Sequence, residues 1–251
     1  MVQKKRIILC LLSLFPYALY ASFIEATMGT AVVNDATATF HNPAALILVK
    51  KSQVVALGSR ASSHSQFIGQ SIETLGGFTQ SGSSKARTNY NLPSGYLTFP
   101  IKKKLRLGLA LLGDGINSDL DEPSILRYDE SSNQIKNIDY ILSAGLKLND
   151  YLSIGSGVTY SAARFTSHRI TGFPNLDIPD SQSHNITKGD NYGWNVGFLI
   201  KPLKSTHIGF NYRSKVSYKF RGQSEFEGPP AVVSDAFNFN FWTPARGVMT
   251  I

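Results

Sequence analysis

From Tyr192 to Arg221 the chain alternates. Tyr192, Trp194, Val196, Phe198 and Ile200 take one parity, against Gly193, Asn195, Gly197 and Leu199 on the other. After a turn at Pro202 to Ser205, Ile208, Phe210, Tyr212, Val216, Tyr218 and Phe220 share a parity. The opposite parity carries His207, Gly209, Asn211, Arg213, Lys215, Lys219 and Arg221. Side chains on a strand point alternately to opposite faces, so this is a β-hairpin with one apolar face and one small or cationic face. Its second segment, read as unbroken to Arg221, exceeds the ~5–6 residues of a usual globular strand and covers the ~9–11 that cross a bilayer at a tilt. The pattern suits a soluble antiparallel sheet whose apolar face meets a core, and equally a transmembrane barrel whose apolar face meets lipid.

The same period predicts strands near 52–62, 94–101, 105–114, 136–148 and 152–164, besides 192–201 and 206–221, with one more starting at Phe237, Phe239 and Phe241. In the third, Leu105, Leu107, Leu109 and Leu111 alternate with Arg106, Gly108 and Ala110 until Gly113-Asp114-Gly115, where glycine predicts a bulge or kink. Polar stretches at 63–93, 118–134, 166–190 and 222–235 read as long loops, whereas the turns near 102, 149 and 203 are short. Short turns on one rim and long loops on the other are the layout of an outer-membrane barrel. A soluble sandwich gives no reason for such alternation.

The front of the chain points the same way. Lys4, Lys5 and Arg6 precede an apolar run from Ile7 to Phe15, then Pro16 and small residues to Ala21. This is the form of a secretory signal peptide, too short for the ~20 residues of a membrane-spanning helix. Cleavage after Ala21 takes away Cys10, the one cysteine, and lowers the formal charge of +8 by three. An exported chain without thiols has only its ladder and its packing to hold it. Ser22 to Lys51, punctuated by Asn34-Asp35 and Asn42-Pro43, reads as compact non-sheet structure. The predicted organisation is therefore a signal at 1–21, an N-terminal segment at 22–51 and a sheet from 52 to 251.

Three passages resemble one known family, the FadL/TodX-type outer-membrane transporters of long-chain fatty acids and hydrocarbons. "DATATFHNPAAL" is similar to the N-terminal hatch motif of that family. "YGWNVGFLIKP" followed by "IGFNYRSKVSYKFRG" is similar to its paired middle strands, and "LGLALLGDGINSDL" to its kinked third strand. The resemblance implies an all-β fold, a transmembrane antiparallel β-barrel of fourteen strands with an N-terminal hatch, of which this chain holds about seven to eight. It also implies passive uptake of hydrophobic molecules across the Gram-negative outer membrane. On that reading the hatch turn falls on Asn42, Pro43 and Ala44, a buried N-terminal segment on Ser22 and Phe23, and the lateral kink on Gly113 to Gly115. The partners implied are hydrophobic small molecules, long-chain fatty acids or hydrocarbons, and outer-membrane lipid. Because the chain reaches Ile251 without a C-terminal aromatic residue, it is expected to be a fragment of a longer transporter.

Candidate chemistry is sparse. A fatty acid needs an apolar trough and a cationic anchor, which Arg213, Lys215, Lys219, Arg221 or Arg164 would supply if they face the lumen. His64, His168, His184 and His207 lie in no nucleophile motif, and Gly113-Asp114-Gly115 lacks the third glycine of a dinucleotide loop. No histidine or acidic pair has metal-ligand spacing. The expectation is a non-enzyme with no catalytic residues, no metal and no cofactor. Nucleic acid is not an expected partner, since the cations are spread without a reading motif. The competing class is a structural or adhesin-like barrel that binds partners through its extracellular loops.

Overall fold

The computed structural model describes residues 30–251 except 74–77, 122–123, 127, 129–130, 174–177, 204 and 228–234. The signal at 1–21, Ser22 and Phe23 lie outside the described residues. Ten strands form one antiparallel sheet: β1 (Gln53–Glu73), β2 (Phe78–Lys102), β3 (Leu105–Leu120), β4 (Ser132–Lys147), β5 (Leu152–Phe173), β6 (Ile178–Leu203), β7 (Thr206–Arg213), β8 (Val216–Glu227), β9 (Asp235–Thr243) and β10 (Arg246–Thr250). Each of β1 to β7 pairs with its sequence neighbour, and β10 closes the series on β7. Beside them, β8 pairs with both β6 and β9. The pairs β7/β8 and β9/β10 are thus two long strands, each broken once. The breaks face each other, with Arg213 opposite Arg246 and Val216 opposite Thr243. The whole is an incomplete barrel of eight long strands, and β1 pairs with neither β9 nor β10 among the described residues.

Residues 30–50 pack on one face, here the inner one. Asp35 starts that segment by accepting hydrogen bonds from the Thr37 amide and hydroxyl, an Asx turn leading into the single-turn helix α1 (Ala38–His41). Asn42 caps the 3₁₀ segment Pro43–Leu48 through its side chain, with proline at the first position, where a missing N–H costs nothing. Ala38, Ala44, Ala45, Leu46 and Leu199 form the resulting apolar cluster.

The outer face carries the apolar band. Leu109 lies beside Leu142 and Leu111 beside Tyr140. Tyr140, Tyr160 and Tyr192 then occupy one cross-strand row, their rings 6.2 and 5.2 Å apart. Towards the short turns the band continues through Leu142, Leu146 and Leu148, all exposed. From Tyr140 to Leu148 the strand runs ~26 Å, about 19 Å of membrane depth at a tilt near 45°. An aromatic row at the edge of an apolar band is the girdle of a transmembrane barrel. No described helix is long and apolar enough to cross a membrane; strands make the crossing.

Two expectations need correction. The stretches 63–93 and 166–190 are not loops: β1 and β2 stay paired out to Glu73 and Phe78, and β5 and β6 out to Phe173 and Ile178. Beyond the girdle the outer face meets water and the inner face is lined by polar residues, Ser84, Ser183, Asn185 and Thr187 being buried there, so the ladder continues while the hydrophobic alternation that betrays a strand disappears. The 222–235 stretch is likewise strand to Glu227. Second, 206–221 is not continuous, because Ser214 and Lys215 interrupt it.

Candidate functional site

That interruption shifts the register on β6 by one residue. Arg213 lies opposite Asn195, yet Arg221 lies opposite Lys188. A one-residue shift sends every side chain to the other face. Before the break Gly209, Asn211 and Arg213 are buried on the inner face; after it Tyr218, Phe220 and Ser224 are. Lys219 and Arg221, expected in the lumen, point outward and are exposed. Lys215 sits at the break itself, 4.7 Å over the Trp242 ring.

The shift builds an aromatic patch on the inner face that the alternation alone did not reveal. Phe220 stacks on Phe239 at 4.7 Å with an interplanar angle of 9°, and Phe165 meets Phe239 edge-on at 5.4 Å. Tyr218, Phe237 and Phe241 extend the patch. Phe220 lies over Gly189, where a Cβ would come within 3.3 Å of its ring. The signal available in the sequence was Arg213-Ser214-Lys215, three polar residues in a row inside an alternating run.

Below the patch the inner wall turns small and polar. Ser161 donates to Asp139, as does Asn137 at 2.8 Å, and Tyr218 hydrogen-bonds Ser161. Thr159, Ser143, Asn195 and Asn211 are buried there too. Deeper still lies the 30–50 segment. It is seated on a row of glycines, one from each of five strands: Gly108 under the Thr39 side chain, Gly145 and Gly155 under the backbone of Pro43 and Ala44, Gly197 under the Asn42 side chain, Gly209 under the Thr30 backbone. A Cβ at any of these would collide with the segment, which is why those positions are glycine.

Asn42, Pro43 and Ala44 are all buried at this contact. Asn42 donates to the carbonyls of Thr30 (2.8 Å) and Phe198 (3.1 Å) and accepts from the Ala44 amide (3.0 Å). The Arg213 guanidinium donates to the Phe40 carbonyl and covers its ring at 3.7 Å. Ser143 donates to the Thr39 carbonyl.

Gly113 and Gly115 lie within β3, whose pairing to β4 is unbroken from Leu105 to Asp119. The expected bulge in β3 is absent. The interruption is on the other side: the β2–β3 ladder skips Leu92 and Pro93 opposite Gly113 and Asp114. Proline brings no N–H to a ladder, and a Cβ on Gly113 would stand 2.8 Å from the Pro93 ring. Arg164 is an exposed outward residue of β5. It does not meet the inner residues, so its position gives no support to a lumenal anchor.

The fold has counterparts among known proteins. The sequence family described as outer membrane protein transport protein (OMPP1/FadL/TodX) matches residues 24–248. Among solved structures, a FadL homologue of Pseudomonas aeruginosa superposes with a TM-score of 0.69 at 20% identity, covering 87% of this chain and 61% of its own. The toluene transporter TbuX of Ralstonia pickettii gives 0.62 at 14% identity, covering 88% and 64%. The monoaromatic hydrocarbon channel CymD gives 0.56 at 13%, covering 88% and 61%. This chain therefore spans less than two thirds of the length of these channels. No curated protein sequence matches it. The family match extends over nearly all of the described residues, and the chain belongs to the OMPP1/FadL/TodX family of outer-membrane transport proteins.

Proposed function

We propose that this chain forms part of a passive outer-membrane channel for hydrophobic molecules. The observation that carries the reading is the inner aromatic patch of Phe165, Tyr218, Phe220 and Phe239. An inner wall meant only for water and ions has no use for stacked apolar rings, whereas a hydrophobic solute does. On this reading residues 22–51 are the hatch, following signal cleavage after Ala21. Asn42, Pro43 and Ala44 fasten that hatch to the wall. The β2–β3 interruption at Pro93 and Gly113, with Gly115 just above it, is the lateral way out to the bilayer.

The wall electrostatics favour an uncharged solute over a long-chain carboxylate. Asp114 and Asp139 share the inner parity near Tyr218, while Arg213, the inner cation at mid-depth, is engaged by Phe40. A carboxylate head group would meet like charge there. The test is uptake of labelled toluene and labelled oleate by a transporter-deficient strain carrying the full-length gene, with Phe220→Ser/Phe239→Ser alongside. Toluene uptake above the empty vector, lowered in the double variant, is expected. Uptake no greater than the vector for either solute sinks the transport reading; oleate uptake exceeding toluene uptake sinks the preference.

A further inference from the structure

The outer face above the tyrosine girdle carries a feature that transport does not use. Lys136 lies directly opposite Arg164, Arg164 opposite Lys188, and Lys188 opposite Arg221. Four neighbouring strands thus place four cations in one cross-strand row, and all four are exposed. The row runs on through Gly115 and Asn91 to Arg60 without a carboxylate. Strands are ~4.8 Å apart, so each cation sits beside another with little room between. Like charges directly opposite are destabilising. None of the four makes an ion pair among the described residues.

The neighbouring rows do not neutralise them. Outward of the row come Asn117, Gln134, Thr166 and Gln223, all uncharged. On the girdle side comes one carboxylate, Asp190, which is engaged by the Tyr160 hydroxyl, and a further cation, Lys219. A shallow groove of about 350 Å³ runs along the row, with Ala162 and Gly189 in its floor and Lys136, Arg164 and Lys188 on its walls. Lys136 stands four residues beyond Tyr140, ~13 Å along the strand and about 9 Å in height at a tilt near 45°. That is the level at which a membrane's apolar interior has given way to head groups.

From this placement we propose that the row Lys136, Arg164, Lys188 and Arg221 is a docking belt for the phosphate groups of a phosphorylated glycolipid of the outer leaflet. The charge complements phosphate, and arginine's planar fork suits its oxygens. The apolar band and tyrosines immediately below receive the acyl chains of the same molecule, so head and tail contacts are continuous. A soluble polyanion would use the cations and leave the band unused. This assignment rests on the outer-membrane location and not on which solute is transported.

The test uses the purified protein in detergent and three probes: bisphosphorylated lipid A, the same lipid A with its phosphates removed, and inorganic phosphate. Native mass spectrometry reads bound lipid, and heat-modifiable gel mobility reads folding. Each cation near a charged lipid surface changes binding about fivefold, so Arg164→Gln/Lys188→Gln should weaken bisphosphorylated lipid A by roughly 25-fold. The dephosphorylated lipid should bind the unaltered protein weakly, and millimolar phosphate should not compete. Equal binding of the two lipids, or no loss in the double variant, overturns the proposal. Competition by inorganic phosphate overturns the lipid assignment. If the double variant does not fold, the two lipids compared on the unaltered protein decide alone.

Discussion

Asn42→Ala should detach the 30–50 segment while leaving the sheet intact. The side chain is fully buried and makes three hydrogen bonds, one accepted from Ala44 and two donated to the Thr30 and Phe198 carbonyls. Losing the cap costs ~1 kcal/mol. Each lost donor costs another ~1 kcal/mol, more where the carbonyl stays dry. The total is about 3 kcal/mol, on the order of a 150-fold change in an equilibrium constant. Hydrogen exchange on the protein in detergent reads this directly. Amides of residues 36–49 should exchange roughly 150-fold faster, while those of β4 to β6 stay protected and heat-modifiable mobility is unchanged. Asn42→Ser keeps a capping oxygen and should lose only about the two donor bonds. Unchanged protection at 36–49 in Asn42→Ala would show that the segment is held by its glycine seats and not by Asn42. Loss of protection throughout the sheet would refute the claim that segment and wall are separable.

Other outcomes follow from the same geometry. Gly155→Val puts a branched side chain where the Pro43–Ala44 backbone lies, and it should open the channel, raising single-channel conductance in planar bilayers; unaltered conductance contradicts the seating. Lys219→Cys should react with a bulky impermeant maleimide on intact cells and Phe220→Cys should resist, since the break at Ser214-Lys215 turns Lys219 outward and Phe220 inward; the reverse result would restore the unbroken strand. His168 stacks on His184 with ring centres 4.1 Å apart. Burial first, and the neighbouring imidazole second, hold its pKa below the ordinary value of 6.5, with Asp119 opposing. A lowered folded pKa means that the neutral form is favoured in the hairpin, so its stabilisation is present above pH ~6.5 and is lost as pH falls below that. Amides of the outer part of β5 and β6 should therefore exchange faster at pH 5 than at pH 7.5 after correction for intrinsic rates, and His184→Gln should lessen the difference without abolishing it, since burial is the larger cause.

What the sequence revealed was governed by where two different solvents meet the sheet. Leu105 to Leu111 and Tyr192 to Ile200 alternate because one face meets lipid and the other a small, polar wall, and both strands are where the period put them. Arg60 to Glu73 and Phe78 to Pro93 show no hydrophobic alternation, because polar residues dominate both faces, yet both are ladder. The break at Ser214 was hidden because Tyr212, Val216 and Tyr218 keep a single numerical parity across it, while their side chains change sides. A turn at Asn42, Pro43 and Ala44 was suggested by family likeness, but its seating on Gly197 and Gly155 was not. A glycine on the small face of a strand looks the same in sequence whether it borders water or a packed backbone.

The seating of the N-terminal segment also fixes an order of assembly. Thr30 hydrogen-bonds the Thr250 hydroxyl through its amide, across a separation of 220 residues, and Asn42 reaches Phe198 across 156. Its glycine seats are supplied by five successive strands. The part of the chain made first therefore has no place to bind until nearly every described strand is laid down. Closing such long loops costs entropy before any contact offsets it. Residues 30–50 are made before the strands that seat them and can dock only once those strands stand side by side, so the inner face they cover stays accessible to water until then.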